Sequence, residues 1–176
     1  MTRKRMSPAT KHKLQLILIY LAAIVFCILW LADTIAIKNR IKHDEMKILE
    51  YAQSTASSLE LYIEHGNDGS WYDGAEYMIR FDALYSQYIE VRSSQRKFTK
   101  KPLTESERKC YASAHFIARK MIDDPDAIKP YAAELSSAMR QFGNRDPFSD
   151  KNMEFIAEKL TEICSEADPA LPWSLP

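Results

Sequence analysis

Glycine is scarce in this chain, with four in 176 residues. Phosphate-cradling loops, tight hairpins and barrel corners depend on glycine, because only a residue without Cβ reaches those backbone conformations freely. Its scarcity argues against nucleotide-binding loops and β-architectures and for helices. An excess of charge of one sign is missing too. The chain has 24 Lys and Arg against 24 Asp and Glu, for a formal net charge of zero. Nucleic-acid binders usually carry a basic excess, so no electrostatic case exists for such a partner.

Catalytic signatures are absent as well. The sequence has no Gly-x-Ser-x-Gly elbow, no phosphate loop and no zinc-hydrolase histidine pair. His12, His43, His65 and His115 each stand without a second ligand at metal-binding spacing. Asp123, Asp124 and Asp126 lack the glycine and closing glutamate of a calcium loop, and helix capping accounts for them better. His43, Asp44 and Glu45 read as a solvated face rather than a cation site. No metal or cofactor is therefore expected. Asn-x-Ser/Thr acceptors are also lacking, which fits a bacterial source.

What is present begins with a long apolar run. Leu14 to Ala32 contains no charge and, at about 1.5 Å per residue, spans about 28 Å, close to the hydrocarbon thickness of a bilayer. Tyr20 and Trp30 lie toward its ends, where aromatic rings favour the interface. A cleaved signal peptide has a shorter apolar core and a small-x-small site, which Thr34-Ile35-Ala36 imitates poorly. A buried core helix of this length would carry polar interruptions. The run is expected to be a retained membrane anchor.

Lysines and arginines flank it almost evenly. Arg3, Lys4, Arg5, Lys11 and Lys13 precede it, and Lys38, Arg40, Lys42 and Lys47 follow. The short, strongly basic leading stretch resists translocation, so the N-terminus is expected in the cytoplasm and the rest outside. The expected organisation is a basic cytoplasmic tail over 1–13, a transmembrane helix over 14–34, a helical extracytoplasmic domain over 35–167 and an extended Pro/Trp tail over 168–176.

No Gly or Pro interrupts the chain from Leu14 to His65, so the anchor is expected to continue as one helix. A heptad-like stripe follows through Ile41, Ile48, Ala52, Leu59 and Tyr62, spoiled by Glu45 and Thr55. It suits one side of a bundle or a docking stalk. The cluster His65 to Ser70 ends the helix. Ser70 is the expected cap of a second helix, carrying Ala75, Met78, Ile79, Leu84, Tyr85 and Tyr88 at helical spacing. Thr104 and Glu107 form a capping box opening a third. Asp124-Pro125 starts a fourth, with Pro130 as a later alternative start. The last helix runs through Met153, Ile156, Leu160 and Ile163. The fold class is all-α: a single N-terminal transmembrane helix continuing into a four- to five-helix bundle.

The candidate sites are sparse. Cys110 and Cys164 are a candidate disulfide if the domain lies outside the cytoplasm. In an up-down bundle they fall about 13 Å apart along the axis, beyond a disulfide's reach of about 7 Å, so buried free thiols are the leading expectation. Cys27, within the anchor, reads as a packing residue. Trp71, Tyr72 and Tyr77 follow the sharp turn, and Leu171 and Trp173 sit in the proline-bracketed tail; these are candidate partner anchors. The expected function is a non-enzymatic accessory or interaction subunit of a membrane complex, with the lipid bilayer and other membrane subunits, or a second copy, as partners. The alternative is an extracytoplasmic sensor or small-ligand-binding domain that signals through a partner. An enzyme would need carboxylates such as Glu76 and Asp82 to converge on His115.

Overall fold

The structure, a computed structural model, describes the backbone of residues 8–94, 103–142 and 148–169, and the side chains of 12–91, 103–142 and 148–169. Helix α1 spans Pro8–His65, α2 Asp68–Ser94, α3 Glu105–Asp123, α4 Pro125–Ile128, α5 Ala132–Phe142 and α6 Asp150–Ala167. A 3₁₀ turn, Lys129–Tyr131, joins α4 to α5. Among the described residues there is no strand. One long apolar N-terminal helix is followed by a helical bundle. The chain divides into two compact units, residues 1–42 and 43–176.

In the first unit, α1 is long and apolar enough to cross a membrane. Its apolar side chains from Leu14 to Leu31 face outward, Ile19, Tyr20, Phe26 and Leu29 among them.

In the second unit, the remainder of α1 changes character. Ile48, Ala52, Ala56 and Leu59 are fully buried, three or four residues apart. Thr55 is buried among them rather than breaking the stripe, because its hydroxyl donates to the Tyr51 carbonyl at 2.8 Å and needs no outside partner. Asp44 is buried too, and Glu45 accepts the Tyr88 hydroxyl at 3.2 Å. The expected solvated face at His43–Glu45 is thus partly interior, since α2 lies against it.

The turn to α2 is built by two residues. Gly66 takes a φ of +62°, the left-handed region that closes helix C-termini, and its N–H returns to the Tyr62 carbonyl at 2.7 Å. Asn67 then caps α2, accepting from the Gly69 N–H at 2.9 Å. The cap is Asn67 and not Ser70, because α2 already starts at Asp68. Contacts of Tyr51 with Tyr77 and of Tyr62 with Trp71 show α1 and α2 antiparallel. Asp82 with His115 and Ser86 with Tyr111 show the same for α2 and α3.

The capping box forms as expected: the Glu107 N–H donates to Thr104 Oγ1 at 3.1 Å and the Thr104 N–H to Glu107 Oε2 at 2.8 Å. Asp124 does not cap α4; its carboxylate faces Lys120 at 3.3 Å instead. Pro130 makes the later start real, since the 3₁₀ turn intervenes before α5. An aromatic core closes the bundle. Phe142 meets Phe81 edge-on at 5.1 Å and Phe148 at 5.6 Å, and Tyr88 meets Phe148 at 4.9 Å.

Candidate functional site

The turn-proximal aromatics separate once folded. Trp71 is 1% exposed. Its indole N–H donates to the Met121 carbonyl at 3.2 Å, its ring lies edge-on to Tyr62 at 5.2 Å, and Lys129 sits over it at 5.9 Å. It is a core residue, so the expectation that it anchors a partner is corrected: helical spacing points it inward, and Met121 satisfies its one polar atom. Tyr77 is half-buried, stacked on Tyr51 at 6.5 Å, and lines a shallow groove of about 400 Å³ with Glu50, Gln53, Ser54 and Ser57. Tyr72 stays 62% exposed. Leu171 and Trp173 lie outside the described residues. Ile122 and Phe155, which the sequence reading passed over, are also outward-facing.

The cysteines of the candidate disulfide are both free and buried. No bond joins Cys110 to Cys164. Burial pushes the Cys110 thiol up to about 12, and does the same to Cys164, whose Sγ lies 3.6 Å from the Ser113 carbonyl. Beside Cys110, burial also raises the Tyr85 hydroxyl well above its ordinary range. Thiolate is the reactive form, so neither cysteine is poised for nucleophilic or redox chemistry.

The convergence an enzyme would need is half made. Asp82 and His115 meet across the α2–α3 seam at 2.9 Å, while Glu76 turns away to an ion pair with Arg80 on its own helix. Asp82 is largely buried and, among the described residues, its Oδ1 has no hydrogen-bond partner. The contact joins Asp82 Oδ2 to Nδ1 of a half-exposed imidazole. One turn along, Ser86 and Tyr111 pair through their hydroxyls at 3.4 Å. The two pairs lock α2 to α3. Among the described residues no three His, Cys, Asp or Glu side chains are placed to hold a metal ion.

A groove of about 780 Å³ between α3 and α6 is lined by charge, including Glu105, Lys109, Glu158, Lys159 and Glu162. Lys109 pairs with Glu105 at 2.6 Å and Lys159 with Glu162 at 2.7 Å. Those hydrogen bonds hold the Glu105 carboxyl below its ordinary range and the Lys159 ammonium above it. Glu154 and Glu158 also line it, so the groove carries four glutamates against two lysines.

No family model, no curated protein and no solved structure matches this chain.

Proposed function

We propose that this chain is a non-enzymatic accessory or interaction subunit of a membrane complex, held by a single span in a bacterial inner membrane. The observation that carries the reading is α1 itself. One helix, Pro8–His65, presents an outward apolar surface in its first half and supplies bundle core in its second. The basic residues before the span favour an N-terminus in the cytoplasm and a bundle on the outer face. Interaction rather than chemistry is supported by the silent thiols and the outward Tyr72 and Ile122.

The test is solubilisation of native membranes in mild detergent, followed by native electrophoresis and mass spectrometry. The full-length chain is expected in an assembly with at least one other membrane protein. A chain that runs alone removes the reading. Protease protection of the bundle in spheroplasts and in inverted vesicles checks the direction of the span.

A further inference from the structure

The apolar span holds a charge near one end. From Leu14 to Ile37, Asp33 is the sole ionisable carboxylate or cation, with Ile35, Ala36 and Ile37 beyond it before Lys38. At about 1.5 Å per residue this stretch is about 36 Å long, against a hydrocarbon core of about 30 Å. Centring the transmembrane helix over 14–34 in the bilayer puts Asp33 about 13.5 Å from the midplane, inside a hydrocarbon half-thickness of about 15 Å.

A carboxylate at that depth needs compensation, and aspartate has too short a stem to carry its charge far toward the headgroups. Its own helix offers none. The residues one turn away on its face are Leu29, Trp30, Ala36 and Ile37. The neighbouring Thr34 hydroxyl is already committed to the Trp30 carbonyl at 2.8 Å. Asp33 is exposed and, among the described residues, has no hydrogen-bond or ion-pair partner. A second copy of the chain in the same orientation would bring another aspartate to the same level, which is repulsive.

We propose that Asp33 docks this chain onto a membrane helix of a different protein, one bearing a lysine or arginine at the matching depth. The inference rests on the membrane-subunit reading and names the chemistry of the contact. Charge complementarity in a low-dielectric medium makes the pair both specific and strong, while Leu29, Trp30 and Ile37 supply the packing around it.

The test compares full-length wild type, Asp33→Leu, Asp33→Asn and Asp33→Glu in native membranes, all first shown to resist carbonate extraction. Native electrophoresis reads the fraction in the assembly, and mass spectrometry names its members. Wild type and Asp33→Glu are expected in the assembly, with Asp33→Leu and Asp33→Asn about tenfold less represented. The partner is expected to show a Lys or Arg within a span. An assembly that keeps Asp33→Leu at the wild-type level overturns the inference and leaves the subunit reading standing. So does an assembly made of this chain alone, or of partners whose spans carry no cation. A wild type that runs alone overturns both.

Discussion

Trp71 and Tyr72 are neighbours in sequence with opposite fates. Truncating Trp71 empties a fully buried site and leaves the Met121 carbonyl without its donor. Trp71→Ala is expected to cost about 3–5 kcal/mol in urea unfolding, whereas Tyr72→Ala stays within about 0.5 kcal/mol. The thiols give a sharper residue-level test. Each has an ordinary value of 9.0 and stands near 12 when folded. The folded form therefore holds its proton over a window where the unfolded chain has lost it. Their contribution is fully present below about pH 9 and falls away as pH rises from about 9 to 12. By pH 10 the loss is about 1.4 kcal/mol per thiol, removed in a Cys110→Ala, Cys164→Ala double variant. Iodoacetamide should label neither residue in the native state at pH 8, and both once the bundle is unfolded in urea; rapid native labelling of Cys110 would contradict its burial.

At the scale of elements, the capping box carries the clearest energetic expectation. Thr104→Ala leaves the Glu107 N–H without its acceptor, and removes the hydroxyl that also meets Glu107 Oε2. The loss is expected to be about 1 kcal/mol, with hydrogen exchange accelerating first in the opening turn of α3. Ser70→Ala, at a residue that does not cap α2, should leave the start of that helix unaffected. This contrast marks what the sequence can disclose. A Thr-x-x-Glu motif declares both halves of its bond within four residues. The α2 start reads from sequence as Ser70, whereas the left-handed closure at Gly66 fixes where the chain re-enters a helix and puts Asn67 at the cap. Apolar spacing at three and four gave the buried faces of α3, α5 and α6. It could not show that the first aromatic of Trp71-Tyr72 faces the core and the second faces water. The Asp82–His115 pair was legible only as two residue types; their distance depends on the antiparallel register of α2 and α3, a property of packing.

For the whole molecule, exposure changes along one helix. Residues of the first unit expose Ile19 at 64% and Phe26 at 70%, while Ile48 and Leu59, farther along the same helix, are fully buried. No single aqueous environment suits both. Water would force the first half to associate, whereas lipid replaces that need at every outward side chain. A charge at the middle of the run tests this directly, because its cost depends on the medium and not on the bundle. Val25→Arg is expected to add about 2.5–3.5 kcal/mol to insertion, lowering the carbonate-resistant fraction of the full-length chain. Ser57→Arg, on the exposed face of α1 in the bundle, should change neither insertion nor unfolding appreciably. If both substitutions leave the chain equally membrane-bound, α1 is not immersed in hydrocarbon at Val25. The first unit would then need a protein surface to cover it, and the docking inferred for Asp33, which rests on its depth in the bilayer, would fall with the span.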